Sequence, residues 1–298
     1  MKSVKIVLLA VVTALMVSCG TTRVVPISGR TQTLLVNDEQ VLSLSNQEYS
    51  NFMKSAKVST NSANTAMVKR VGQRLASAVE SYLKSNGLSS EVKNFSWEFN
   101  LVQNKEANAF CMPGGKIVVY EGLLPYTQNE ASLAIVLGHE IAHAVAKHSA
   151  EQMSTQIRNQ YGTQILGGVH EAAGVSSTTT QLAQILTQKG LQFRSLKYSR
   201  NHETEADRMG LIFAAMAGYD PSVAVAFWQR MAQGNGNSNQ SDMFSDHPSD
   251  AKRIATIKAE LPEALKYYKA AVATTTTTTK KTTSTKKRTT TSKKRKKK

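Results

Sequence analysis

The chain has 298 residues, of which 41% are hydrophobic, enough for one sizeable core or two small ones. Aromatic content is low, and a middle rich in Ala, Leu, Val and Gln points to a mainly helical α+β protein. The formal net charge of +16 would suit a nucleic-acid binder only if it covered the body, but eleven Lys or Arg lie in Thr274–Lys298 and two more are Lys2 and Lys5, so the body keeps only +3. The high pI belongs to an appendage, which argues against a basic nucleic-acid-binding body.

Met1 to Lys5 is a short basic start, and Ile6 to Val17 is an apolar run of twelve. Twelve residues are too few to span a bilayer, so residues 1–18 are expected to be a signal peptide. Leu15-Met16-Val17-Ser18-Cys19 resembles a bacterial lipoprotein signal, which implies lipidation of Cys19 as the first mature residue. Residues 19–33, polar with Pro26 and Gly29, are then expected to be a lipidated tether, and residues 34–273 a folded domain. The other cysteine, Cys111, reads as a small core residue, not as a disulfide partner or nucleophile.

Asn46 to Lys54 reads as a short helix. A stronger one runs from Asn64 to Tyr82, where Met67, Val71, Leu75, Val79 and Leu83 recur in four-residue steps, with Asn64 to cap its start and Gly87 its end. From Phe95 to Leu101 the period changes to two, the mark of a strand with one buried face. Asn108 to Leu124 follows, with a Pro113-Gly114-Gly115 turn and a β-branched strand at Lys116 to Tyr120, which makes a hairpin. Its open edge would offer backbone N–H and C=O groups to an extended peptide, so Asn108, Ala109, Phe110, Gly114 and Gly115 are candidate substrate-binding residues.

The next helix, with Thr127 and Glu130 as its expected capping box, carries His139-Glu140-Ile141-Ala142-His143. Four residues apart, the two imidazoles leave one face a turn apart and can hold one metal ion. Glu140, about 100° round the helix, is placed to act as a base towards water on that metal. His148, five residues beyond His143, is expected to point away into solvent, and His170 has no assigned role. Ala150 to Gly190 reads as a ragged helical excursion.

In Arg200 to Ala217, Glu203 and Asp207 share a face, with the small residues Ala206 and Gly210 beside them to allow close helix approach. Glu203 can complete a His, His, Glu set with a fourth tetrahedral position for water, as in catalytic zinc sites. Asp207 would hydrogen-bond the far nitrogen of a zinc histidine. Glu205, on the opposite side, and His202, a neighbour pointing elsewhere, are the weaker ligand candidates. Asp220-Pro221 opens a helix with Val225, Phe227 and Trp228 as core. His247-Pro248 then leads into a helix with Ile254, Ile257 and Leu261. His247 is either an N-cap or an active-site group that reaches the zinc or the oxyanion. Thr274 to Lys298 cannot bury apolar area and is expected to be disordered. A polybasic strand of this kind suits anionic envelope polymers or lipids, and it lacks the interleaved aromatics of specific nucleic-acid recognition.

Together the GHEIAH segment from Gly138, the ExxAD segment from Glu203 to Asp207 and the NAFCMPGG hairpin resemble the gluzincin metallopeptidases that include the CAAX prenyl endopeptidases, the HtpX heat-shock proteases and the mitochondrial Oma-type proteases. VPISGR (Val25 to Arg30), LKYSR (Leu196 to Arg200), AGYDP (Ala217 to Pro221) and HPSDAKRI (His247 to Ile254) are similar to motifs of the soluble periplasmic branch. The resemblance covers roughly Val25 to Leu261. It implies a zincin-type domain with one zinc held by His139, His143 and Glu203, with Glu140 catalytic. It also implies an endopeptidase of the bacterial cell envelope, lipid-anchored on the periplasmic side of the outer membrane, that acts on unfolded or misassembled envelope proteins. A chaperone-like assembly factor that uses the same fold mainly for binding is the alternative.

Overall fold

The computed structural model describes residues 20–166, 193, 196, 198–234 and 251–294. The expected signal peptide, Cys19, His170 and His247 lie outside the described residues.

The stretch expected to be a tether is instead a two-stranded antiparallel ribbon, β1 (Thr21–Val24) and β2 (Thr31–Leu34). Val25 N–H donates to the Arg30 carbonyl and closes the turn, and Val25 itself is buried in the main core. The segment's polar composition imitates a solvated linker, but those polar groups have partners on the folded body: Gln32 donates to the Ala146 carbonyl, and Arg23 pairs with Glu91.

Helix α1 (Asp38–Ser55) starts eight residues before its expected Asn46, on a capping box between Asn37 and Gln40. Helix α2 (Ser62–Ser85) is capped by Asn61, whose side chain accepts the Asn64 N–H, so Asn64 is inside the helix and not its cap. The four-residue stripe is core as expected, with Val71, Leu75, Val79 and Leu83 fully buried. After the short α3 (Ser89–Val92), strands β3 (Glu98–Val102), β4 (Ala109–Met112) and β5 (Lys116–Tyr120) form one sheet in the order β3-β5-β4. β4 and β5 are the expected hairpin, turned at Gly114 and Gly115, both with positive φ, and β3 joins the far side of β5 in parallel. Phe95 and Trp97 precede β3 and stack on each other at 4.5 Å.

A 3-10 turn (Glu121–Leu123) and the short helix α4 (Leu124–Thr127) lead into α5 (Glu130–Val145), the buried centre of the molecule. Then come α6 (His148–Leu166), α7 (Arg200–Met216), α8 (Val223–Gly234) and α9 (Ala251–Lys294). Helix α9 carries on through Thr274–Lys294, where a disordered tail was expected. Extending an existing helix needs no new nucleus.

Helix α5 is buried on nearly every side because it is covered by α2, β4, α7 and α8. Its tightest neighbour is α7. A Cβ on Gly138 would fall 2.6 Å from the Gly210 carbonyl oxygen, and one on Gly210 would fall 2.6 Å from the His139 nitrogen. Only a glycine pair permits this backbone contact, which sets Glu203 and Asp207 of α7 against the histidines of α5.

Candidate metal centre

Helix α5 begins at Asn129, whose side chain accepts the Ser132 N–H, and not at a Thr127 to Glu130 box. Pro125 lies in the first turn of α4, Thr127 Oγ1 donates to the Leu124 carbonyl within that helix, and Glu130 turns outward to an ion pair with Arg70.

Two turns on, His139, Glu140 and His143 are all buried. His139 Nε2 lies 3.1 Å from His143 Nε2 and 3.5 Å from Glu203 Oε2, and His143 Nε2 lies 3.4 Å from Glu203 Oε1. Corners of a tetrahedron with bonds of ~2.0–2.1 Å are separated by about 3.3–3.4 Å, so the two imidazoles and the carboxylate are spaced as ligands of one zinc-sized ion. Among the described residues this is the one His, Cys, Asp or Glu group with such convergence. Two nitrogens and one carboxylate are a donor set suited to zinc.

Behind His139, Nδ1 is 2.9 Å from Asp207 Oδ1. Asp207 also accepts from Arg253 Nε and Nη2 at 2.8 and 2.7 Å, and the Arg253 guanidinium lies 3.8 Å from the centre of the Trp228 ring. Burial pulls the His139 pKa down, but the hydrogen bonds to Asp207 and Glu203 outweigh it and push it to about 9 in the metal-free chain. Burial would raise Asp207, yet Arg253 and His139 hold it below the usual carboxylate range. Arg253 was missed in the sequence. The available signal was its place on the buried stripe of α9, with Ile257 and Ala264, where an arginine needs a buried partner.

Behind His143 the arrangement differs. His148 is fully buried, not solvated, and its Nδ1 is 2.9 Å from His143 Nδ1. The expectation of a surface residue assumed an unbroken helix, but Lys147 has φ of +56° and breaks it, folding His148 back towards the site. His148 Nε2 is 2.9 Å from Glu205 Oε2, and Glu205 accepts from Arg30 Nε and Nη2 and from Ser28 Oγ. Burial, with His202 and Arg30 near, lowers His148 to about 4 despite Glu205. Burial acts to raise Glu205, but His148, Arg30 and Ser28 bring it down to about 2. Glu205 is thus no ligand, and its partners come from the ribbon at the other end of the chain. His202 instead pairs with Glu151, which also receives Arg30 Nη1 at 2.7 Å.

Tyr198 stacks on the His143 ring at 4.1 Å and bonds Ser149. Cys111 is buried, and burial together with the Glu140 charge raises its thiol pKa well above normal, so it is no nucleophile. Of the proposed substrate contacts, the Phe110 ring is occupied by core packing against Phe52 and Tyr120. Gly114 and Gly115 pack under Leu42 and Trp97, because the turn faces α1 and the start of β3. Asn108 and Ala109 are buried at the head of β4, whose outer edge pairs with no strand among the described residues.

The model of Peptidase family M48 matches residues 62–261. The chain is similar to the mitochondrial metalloendopeptidase OMA1 of Schizosaccharomyces pombe, 39% identical over 176 residues, 59% of this chain and 50% of that protein. It is 31% identical over 245 residues to the human mitochondrial metalloendopeptidase OMA1, covering 81% of this chain and 46% of that one. To the beta-barrel assembly-enhancing protease of Escherichia coli K12 it is 30% identical over 167 residues, 53% of this chain and 33% of that protein. The chain thus spans half or less of the length of each of these relatives.

Proposed function

The chain belongs to peptidase family M48, and on that premise we propose that it is a zinc-dependent endopeptidase that cuts internal peptide bonds of unfolded or misassembled cell-envelope proteins. The observation that carries this reading is the convergence of His139 Nε2, His143 Nε2 and the Glu203 carboxylate beside Glu140. Zinc bound there would supply a Lewis acid that acidifies water and polarises the scissile carbonyl. Glu140 takes the proton from the attacking water and hands it to the leaving nitrogen as the C–N bond breaks, which yields a carboxylate and an amine. His139 and His143 bind as neutral rings, and Asp207 accepts a hydrogen bond from the Nδ1–H of His139. The outer edge of β4 aligns the extended substrate through its backbone, with Asn108 and Ala109 at the head of that edge.

The test is zinc content together with cleavage of an unfolded test protein, with and without chelator. Glu140→Gln is expected to keep the zinc and lose about 10²–10⁴-fold in rate; cleavage at the wild-type rate would remove the peptidase reading. The address rests on lipidation at Cys19 and on the basic tail, which would meet anionic lipids or envelope polymers. No helix among the described residues is long and apolar enough to cross a membrane. A second reading, an assembly factor in which cleavage is occasional, draws support from the printed name of the Escherichia coli relative, an assembly-enhancing protease. It predicts that Glu140→Gln repairs envelope defects as well as wild type does.

A further inference from the structure

The hydrogen bonds behind His143 have a direction that chemistry dictates. Arg30 can only donate, so Glu205 accepts its Nε–H at 3.0 Å and its Nη2–H at 2.7 Å, and accepts the Ser28 hydroxyl as well. An ionised carboxylate cannot donate, so the 2.9 Å contact to His148 requires a proton on His148 Nε2. In a neutral ring His148 Nδ1 then carries the lone pair, and the 2.9 Å contact to His143 Nδ1 requires that His143 be the donor. With its proton on Nδ1, His143 presents a bare Nε2 to the point where His139 Nε2 and Glu203 converge. Reversing any one of these bonds would leave two donors or two acceptors facing each other in a buried site.

We propose that His148, Glu205 and Arg30 are positioning residues for the metal centre, a relay that holds His143 in its metal-binding tautomer from the N-terminal ribbon. This rests on the metal-site reading above. The relay reaches from α5 through the first residue of α6 and the second turn of α7 to the turn between β1 and β2, so a segment far from the histidine motif in sequence helps set the ligand's orientation. Arg30 is held on its other side by Glu151, through Nη1 at 2.7 Å and Nη2 at 2.8 Å, which fixes the end of the relay.

The experiment measures zinc affinity of the full chain by chelator competition and the visible absorption of the cobalt-substituted protein. His148→Phe keeps a flat ring against His202, which stacks on His148 at 4.4 Å, and removes both nitrogens. It is expected to weaken zinc binding by about 10–100-fold and to shift the cobalt bands. His148→Gln, whose amide offers an acceptor and a donor about as far apart as the two ring nitrogens, is expected to restore most of both. Zinc affinity within twofold of wild type and an unchanged cobalt spectrum in folded His148→Phe would overturn the relay. Should that variant not fold, Arg30→Met decides by the same two readouts, with a loss of about tenfold expected and no loss overturning it. A wild-type chain that takes up neither metal fails earlier, at the metal site itself, and takes the relay with it.

Discussion

His139 and His143 leave one helix a turn apart and aim at one point, yet they are held from behind in different ways. His139 is backed by a charged pair, Asp207 with Arg253, sealed under Trp228 and supplied by α7 and α9. His143 is backed by a neutral ring, His148, with the charges of Glu205 and Arg30 one residue further out. The first arrangement favours a protonated imidazole when no metal is present; the second selects which ring nitrogen carries the proton. The difference shows that two equivalent candidate ligands can be oriented by charge on one side and by hydrogen-bond direction on the other.

Removing the buried charge should break that comparison most severely. Arg253→Met leaves Asp207 and Glu203 buried in its absence, and breaking a buried pair from one side costs about 3–5 kcal/mol. The loss is expected in the denaturant midpoint of the zinc-free protein, and Asp207→Asn added to Arg253→Met should recover part of it. If Arg253→Met unfolds at the wild-type midpoint, the charged backing of His139 contributes nothing to stability.

The pH dependence of the zinc-free protein separates the two sides by sign. His148, lowered from 6.5 to about 4 by burial, binds fewer protons folded than unfolded between those values, so its contribution is complete above pH 6.5 and is lost as pH falls towards 4. His139, raised to about 9 as Asp207 and Glu203 overcome its burial, does the reverse: its contribution is complete below 6.5 and is lost as pH rises through 9. Each limb is on the order of 3 kcal/mol. Urea unfolding with chelator present is expected to show greatest stability near pH 6.5. His148→Gln should flatten the acid limb and Asp207→Asn the alkaline one. Excess zinc should also flatten the alkaline limb, because the ion replaces the His139 proton. A curve that rises steadily from pH 5 to 9, a range spanned by the two shifts, would mean that the two histidines are not differently backed.

This contrast also marks what the sequence made legible. The i, i+4 spacings of His139 with His143 and of Glu203 with Asp207 place side chains by helix geometry alone, and the small residues at 206 and 210 signal the close approach that brings the two pairs together. The hairpin turn and the α2 stripe were readable for the same reason, since local periodicity sets them. What was not readable depends on breaks and long reach. No composition signal marks Lys147 as the left-handed residue that returns His148 to the site. A turn-like stretch such as Val25 to Arg30 looks the same whether its Ser28 and Arg30 are solvated or bonded to Glu205 across the chain. Phe110 likewise was placed on the right strand, but alternation cannot say which face of a covered sheet meets substrate.

The smallest effect concerns the start of α5 against its end. Asn129 accepts the Ser132 N–H and caps the helix about four turns before His143, so Asn129→Ala should cost about 1 kcal/mol of stability. Its zinc affinity should nevertheless match wild type. The histidines are oriented by groups on α6, α7 and α9 that the cap does not touch, and the glycine contact at 138 and 210 holds α5 in register from the side. Thermal unfolding and chelator competition on the same sample separate the two quantities. Equal proportional losses in both would mean that ligand geometry follows the overall stability of α5, and the distinction between a charge-backed and a direction-backed imidazole would then have no bearing on how the metal is held.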